Sequence, residues 1–384
     1  MRIAVNAWFW DSPTTGSGQY TRRLVEHLSV LEPGLDVILV APKRWGYHTL
    51  RFTLHASRLT NHASHALGKV WFEQVAFPRA CRALGADVAH VPYWAPPLGP
   101  AVATVVTIHD LIPLLLREYR GGPTVRLYTA LVSATAQNSA LALTDSTASR
   151  RDIVTHLGLP EERVRVVPLA ADEQYSPTPG PDDAKVHARY GLPERYTLYL
   201  GGFDVRKNVA TALGAYRWAG PAIGDDCPLV IAGRLPERDT PFTPDPRRMA
   251  RELSVAEWVR CIGFVQELDK PALYRGAAAF VFPSRYEGFG LPPLEALACG
   301  VPVVGSDAAS LPEVVGDAGV LLPPDDGEGM ARALIRLTSD EGFRAELSRR
   351  ALAQAANFSW ERTARETLTA YTHAHLEPSR RRAG

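Results

Sequence analysis

The chain is poor in the features that mark a disulfide framework, a zinc site or a membrane anchor. Its 384 residues hold 4 cysteines, Cys81, Cys227, Cys261 and Cys299, none in a C-x-x-C or histidine-paired spacing. A disulfide scaffold and a structural zinc are therefore set aside, and the four read as reduced thiols of a core. No uncharged apolar run approaches the roughly 18 residues that a spanning helix needs, and the opening MRIAVNAWFW has no apolar stretch ending in a small-residue cleavage site. A cytoplasmic protein that does not span a bilayer is expected. Charge of one sign is also missing. The net charge is +1, so no global field invites nucleic acid. There is no internal repeat of sequence.

What is present is an alternation. Short β-branched runs, RIAV, DVILVAP, DVAHVPY, ATVVTIHD, LALTDS and VRVVPLA, are separated by helical patterns over 20–30 and 125–143. Strands apolar throughout and divided by helices belong to a parallel sheet covered on both faces. Proline and glycine then crowd 168–195, which reads as a linker without regular structure. A second cycle follows: YTLYLGG, a helix over 207–219, PLVIAG, VRCIGFV, a helix near 269–276, AAFVFPS, a helix over 292–299, VPVVGSD and GVLLPPD. The fold class is α/β, two Rossmann-like doubly wound domains. Open sheets of this kind bind ligands beyond the carboxyl ends of their strands, so the site is expected in a cleft between the domains. The expected divisions are 1–175, 176–355, and a tail 356–384 whose helical part, 359–376, crosses back to the first domain before a disordered PSRRRAG.

The chemistry is concentrated in RYEGFGLPPLEALACG, residues 285–300. Proline suits the first helical position and Gly300 the position after the last, so a helix of about two turns is implied. Amides at its start, with the backbone of Gly288, Phe289, Gly290 and Leu291, form a nest for phosphate. Carboxylates would repel that anion. Glu287 and Glu295 are better suited to accept hydrogen bonds from hydroxyls on either flank of it, and a ligand with hydroxyls on both sides of its phosphates is a nucleotide sugar.

The E-x7-E spacing of Glu287 and Glu295, inside PSRYEGFGLPPLEALACGVPVVGSD, resembles the signature of glycosyltransferase family 4, the retaining GT-B enzymes of the glycogen-synthase-like and mannosyltransferase-like class. The likeness extends to GGFDVRKN (201–208), LVIAG (229–233), VRCIGFV (259–265) and LPEVVGDAGVLLPPDD (311–326), and more weakly to the N-terminal half. It implies a C-terminal domain that holds a nucleoside-diphosphate sugar as co-substrate, without metal or other cofactor, and an N-terminal domain that holds a glycan, lipid-linked or small-molecule acceptor. It implies transfer of a hexose, mannose or glucose, with retention, GDP-mannose and UDP-glucose being the donors in view.

Carried over by position, the resemblance gives Glu287 the sugar hydroxyls and Glu295 the ribose. Arg206 and Lys207 would take the diphosphate charge, since a leaving nucleoside diphosphate gathers negative charge that preorganised cations stabilise. Position 202 is glycine where one form of the pattern has arginine, so Arg206 is expected to take over. Backbone near Gly263 and Phe264 would read the base, and Gly16 and Gly18 in SPTTGSGQYTRRL would lie over the diphosphate. His109, in VVTIHDLIP, ends a strand and would touch the sugar; Asp110 beside it would orient either a backbone turn or the acceptor hydroxyl. Ser146 reads as a helix cap. Replacing Glu287 or Lys207 by alanine is expected to stop transfer and spare the fold.

Between 43 and 82 basic and aromatic residues interleave: Lys43, Arg44, Trp45, Tyr47, Arg51, Arg58, Lys69, Trp71, Phe72, Arg79 and Arg82. Peripheral contact with an anionic membrane face is one reading; solvated helices with core aromatics is the other. Rival functions are a nucleotide-sugar epimerase or oxidoreductase, for which GSGQYT falls short of G-x-G-x-x-G, and a non-catalytic sugar-nucleotide-binding protein. A glycosidase using the two carboxylates has no use for a phosphate nest beside them.

Overall fold

The computed structural model describes residues 1–12, 15–42, 55–57 and 65–381. The chain divides into two compact units, residues 1–169 with 359–384, and residues 170–358. The first unit thus closes at Leu169 rather than 175, and the second runs to Phe358 rather than 355.

The first unit is built on a parallel sheet of β1 (Arg2–Asn6), β2 (Asp36–Pro42), β3 (His55–Ser57), β4 (Val88–Val91), β5 (Ala103–Thr107), β6 (Leu141–Thr144) and β7 (Val164–Val166), in the order β3-β2-β1-β4-β5-β6-β7. β4 and β6 are buried at every residue, as the uniformly apolar runs require. β3 was not legible in the sequence. Order reverses between β1 and β4, which makes their carboxyl ends the switch point of the sheet.

The second unit repeats the plan with β8 (Thr197–Leu200), β9 (Leu229–Ala232), β10 (Val259–Gly263), β11 (Ala279–Phe282), β12 (Val303–Ser306) and β13 (Gly319–Leu322), in the order β10-β9-β8-β11-β12-β13. Alternate side chains feed opposite cores. Leu198, Val230, Phe280 and Phe282 pack on one face, whereas Tyr199, Leu229, Ile231 and Val281 pack on the other. Its switch point lies between β8 and β11.

The stretch 168–195 is not without structure, because Asp183–Tyr190 forms a helix closed by Gly191 in the left-handed region. Arg275 holds it to the body of the second unit by a two-point contact with Asp183, at 2.6 and 2.7 Å. Two helices follow β13, Gly327–Ser339 and Glu341–Ala355, with Asp340 capping the second. The last helix, Trp360–Arg381, belongs to the first unit and continues into the segment read as a disordered tail. Its Tyr371 hydroxyl reaches His90 Nδ1 at 2.7 Å; His90 Nε2 meets Thr107 Oγ1 at 2.9 Å, and Thr107 meets the Tyr20 hydroxyl at 3.0 Å. Buried polar groups must find partners, and this chain of four fixes the helix to the sheet. Burial pushes the His90 pKa down to about 3.

All four cysteines are free; Cys81, Cys227 and Cys299 are buried and Cys261 partly so. No helix among the described residues is long and apolar enough to cross a membrane. Of the basic and aromatic stretch, Lys43, Arg44, Trp45, Tyr47, Arg51 and Arg58 lie outside the described residues. Of the remainder, Lys69 and Phe72 fit the core reading. Phe72 is buried, and the Lys69 ammonium sits 3.5 Å from buried Glu73 and over the rings of Phe9, Tyr93 and Tyr128. Arg79 and Arg82 are exposed.

Candidate functional site

In the second unit the two strands at the switch point each deliver part of one cluster. Beyond β8 the chain makes a single turn, Val205–Lys207, and Asn208 then takes a left-handed conformation, φ 53°, before the helix Val209–Ala219. The buried Asn208 amide explains that strain: it donates to the carbonyls of Pro283, at 3.1 Å, and Pro324, at 2.7 Å, fastening the loops that follow β11 and β13. Beyond β11 stands Glu287. Lys207 Nζ lies 2.7 Å from its Oε1 and Arg206 Nη1 2.7 Å from its Oε2. Ser284 Oγ donates to Oε1 at 2.6 Å.

Burial alone would raise the Glu287 pKa, but the adjacent Lys207 and Arg206 charges outweigh it, so this carboxyl lies below the usual glutamate range. The two cations expected to take the diphosphate charge are thus already paired with Glu287. Lys207 is shared between Glu287 and the Phe282 ring, 5.1 Å away. Arg206 also donates to the Tyr286 carbonyl at 2.9 Å and lies 3.6 Å from Asp204.

The helix expected over 292–299 runs from Leu291 to Ala298, with Gly290 at its N-cap and Gly300 past its end at φ 77°. Gly290 has φ 116°, and a Cβ there would come within 2.9 Å of Leu311. Pro292 and Pro293 fill the first turn, so they bring the required φ and no N–H. An anion at the start of this helix would therefore find fewer amides than the expected open helix end, those of Gly288–Leu291. Ser310 Oγ bridges the carbonyls of Glu287 and Phe289, at 2.9 and 2.5 Å. The Phe289 side chain turns away into the core, edge-on to Phe358 at 5.7 Å.

Glu295 lies on the buried side of that helix and accepts a hydrogen bond from the Tyr274 hydroxyl at 2.8 Å. Burial dominates its titration and raises its pKa. The nearby Lys270, which also pairs with Glu267 at 2.6 Å, is the largest influence in the other direction. Tyr175 donates to the same Glu267 at 2.8 Å. At the end of β10, Gly263 has φ 77° with open space where a Cβ would stand. The adjacent Phe264 ring is half exposed, with the Arg234 guanidinium 5.4 Å above it.

In the first unit, His109 follows β5 and its Nδ1 lies 2.7 Å from Asp145 Oδ2, just past β6. The Tyr20 ring meets the imidazole edge-on at 4.9 Å. Burial would lower the His109 pKa, but Asp145 and Asp110 together raise it. Nε2 is buried and makes no hydrogen bond of ordinary geometry, although the Pro92 backbone favours the charged ring. Asp110 orients a turn, accepting from the Ile112 amide at 3.0 Å. Ser146 is the cap it was read to be, accepting from the Ser149 amide at 3.0 Å. The Gly18 requirement has a local cause: a Cβ there would stand 2.2 Å from the Ser12 carbonyl oxygen. Gly16 has open space around it and begins the helix Gly16–Leu31.

Sequence reading missed Asn208, Ser284, Tyr274, Ser310 and Asp145. Asp145 had a signal. It ends LALTD as His109 ends VVTIH, and ends of neighbouring parallel strands lie side by side.

Comparison with known proteins identifies the family. The family described as "Glycosyltransferase Family 4" matches residues 14–175, and "Glycosyl transferases group 1" matches residues 183–354. O-antigen chain mannosyltransferase B of Escherichia coli is 36% identical over 268 residues, 70% of this chain and 69% of that protein. Serotype-specific mannosyltransferase WbdA of Escherichia coli is 32% identical over 279 residues, 70% of this chain but only 33% of that longer protein. Sucrose-phosphate synthase from Thermosynechococcus elongatus superposes with a TM-score of 0.74 over 97% of this chain and 98% of its own, at 21% identity, a likeness of fold. These relatives are transferases, and none supports an epimerase. The chain belongs to glycosyltransferase family 4, a transferase of the GT-B fold.

Proposed function

We propose that this enzyme transfers a hexose, mannose before glucose, from a nucleoside-diphosphate sugar to a hydroxyl of a growing glycan, with retention of configuration and without a metal. The observation that carries the reading is the Arg206–Lys207–Glu287 cluster, assembled from the ends of β8 and β11 at the point where an open α/β sheet binds its ligand. Mannose is preferred on the names of the mannosyltransferases that are similar to this chain.

The geometry of this cluster suggests how binding proceeds. A diphosphate arriving at Gly288–Leu291 offers Lys207 a second anion. As the ammonium turns toward it, Glu287 keeps Arg206 on Oε2 and Ser284 on Oε1, and the position that Lys207 leaves on Oε1 can accept from a sugar hydroxyl. In the transition state the departing diphosphate gathers charge, and Lys207 then stabilises it more than the ground state, as rate enhancement requires. The hydroxyls of the ribose fall to Glu295 and the base to Phe264 and the backbone of Gly263. His109 of the first unit meets the sugar, with Gly16 and Gly18 beside the diphosphate. The acceptor falls to the first unit. A glycan on a lipid carrier, met by peripheral contact with the inner face of a membrane, is the acceptor form we favour, with Arg79 and Arg82 as the outward charges.

Thermal-shift measurement against nucleotide sugars tests the donor. Binding to the folded state raises the melting temperature with concentration and affinity. GDP-mannose or a UDP-hexose should raise it and NAD should not; the reverse ranking rejects the reading. Product linkage, determined by NMR on the transferred sugar, tests retention.

A further inference from the structure

We infer that Asp145 is a positioning residue for transfer: from the end of β6 it holds the His109 imidazole by Nδ1 and so fixes which way the ring presents itself to the sugar. The inference rests on the proposed contact between His109 and the donor sugar.

The arrangement follows from strand register. β5 and β6 pair with Val105 beside Leu141, Val106 beside Ala142 and Thr107 beside Leu143. The Ile108 amide extends the ladder to the Leu143 carbonyl at 2.8 Å. The next residues beyond the two strands are therefore neighbours, and His109 Nδ1 meets Asp145 Oδ2 at 2.7 Å. The same loop takes a second hold: Ser149 Oγ donates to the His109 carbonyl at 3.0 Å, and Ser149 itself is set by the Ser146 cap. Backbone and ring are gripped separately, while the edge-on Tyr20 ring blocks another direction of rotation.

Asp145 is 3% exposed. A carboxylate is acceptor-only, so its contact requires the proton on Nδ1 and excludes the other neutral tautomer. Its buried charge also favours the imidazolium, since little water screens it. The groups facing the ring are Asp145 after β6, Asp110 on the histidine's own loop, Tyr20 on the helix Gly16–Leu31, and His90 on β4. His90 stays neutral, with its pKa pushed down to about 3, and Tyr20 stays protonated because burial raises its pKa. That leaves the two aspartates as the charges that act on His109, and Asp145 is the one in hydrogen-bond contact.

The test is Asp145→Asn, with Asp145→Ser as a second variant in case the first fails to fold, each checked by circular dichroism. The His109 imidazole is followed by NMR titration in the free enzyme, its signal assigned by loss in His109→Gln. It should titrate above the ordinary histidine value in the wild type and lower in the variants. kcat should fall on the order of 100-fold, as for a displaced reacting group, while donor KM changes little. An unmoved titration overturns the inference and leaves the role of His109 standing. A moved titration with wild-type kcat also overturns it, and if His109→Gln then turns over normally, the contact between His109 and the sugar falls with it.

Discussion

Glu287 and Glu295 share a residue type and one loop-helix unit, and both are 9% exposed, yet they lean in opposite directions. Lys207 and Arg206 hold the Glu287 pKa below the usual glutamate range, whereas burial, with Glu267 nearby, raises that of Glu295 although the Tyr274 and Tyr175 hydroxyls favour its charged form. Equal burial with unequal partners shows that the partners decide the protonation state. The spacing marks the pair but does not say what each member does: one is the counterion of a cation cluster, and the other is a hydrogen-bonding group in an aromatic wall.

The largest effect expected from breaking this contrast is at Glu287. Glu287→Ala leaves Arg206 and Lys207 largely buried without their shared anion, and breaking such a pair costs about 3–5 kcal/mol. The expectation that this substitution spares the fold therefore needs revision. Transfer should be lost and the urea midpoint should drop together, by activity assay and chemical denaturation. A variant with unchanged stability would show that the cations find other partners.

Lys207→Ala comes next and separates the two effects. Glu287 keeps Arg206 at 2.7 Å and Ser284 at 2.6 Å, so the stability loss should be well below that of Glu287→Ala. The loss in kcat should be on the order of 100- to 1,000-fold, typical for an electrostatic group facing developing charge. If stability falls and kcat holds, Lys207 is a structural counterion and the diphosphate is neutralised elsewhere.

Much of this contrast was hidden in the sequence for a physical reason. The uniformly apolar strands, the prolines before Glu295 and the glycines around Phe289 are local signals, and they gave the two sheets and the turn that carries Glu287. The partners are not local. Lys207 and Glu287 meet because β8 and β11 are adjacent, and Tyr274 reaches Glu295 from a separate helix, Lys270–Gly276. Side-chain periodicity reports which face of a strand is buried but not which strand lies beside it. Asp145 and His109 are different, because each ends an apolar strand and the matching ends were a signal that they could meet. The helix Asp183–Tyr190 was missed because it begins and ends beside the prolines and glycines that mark a linker.

A smaller effect is expected at Glu295. Glu295→Gln removes a buried charge and keeps the side-chain shape, so the fold should be retained and the Tyr274 hydroxyl keeps an acceptor. Loss of a charged acceptor for hydroxyls is worth about 1–2 kcal/mol, which converts to roughly a tenfold rise in donor KM with kcat nearly constant. A large fall in kcat with unchanged KM would move Glu295 from binding into the chemistry.

The smallest effect is one of sign, in the acid limb of stability against pH. The Glu287 pKa is lower in the folded protein than in the unfolded chain, so as pH falls through the usual glutamate range the unfolded chain takes up the proton first and stability is lost, until the folded carboxyl also protonates. The Glu295 pKa is higher in the folded protein, so over the window just above that range the folded form takes up the proton first and stability rises as pH falls. The wild type adds these opposed slopes. Glu295→Gln removes the rising one, so its stability relative to wild type should worsen on going from neutral pH toward the glutamate range. A milder variant, Ser284→Ala, removes one hydrogen bond that favours the Glu287 carboxylate, so the acid-side loss should become shallower. Chemical denaturation at a series of pH values reads both differences; parallel curves for wild type and Glu295→Gln would mean that folding leaves the Glu295 pKa unshifted, and a relative gain for Glu295→Gln as pH falls would mean that it is lowered like that of Glu287.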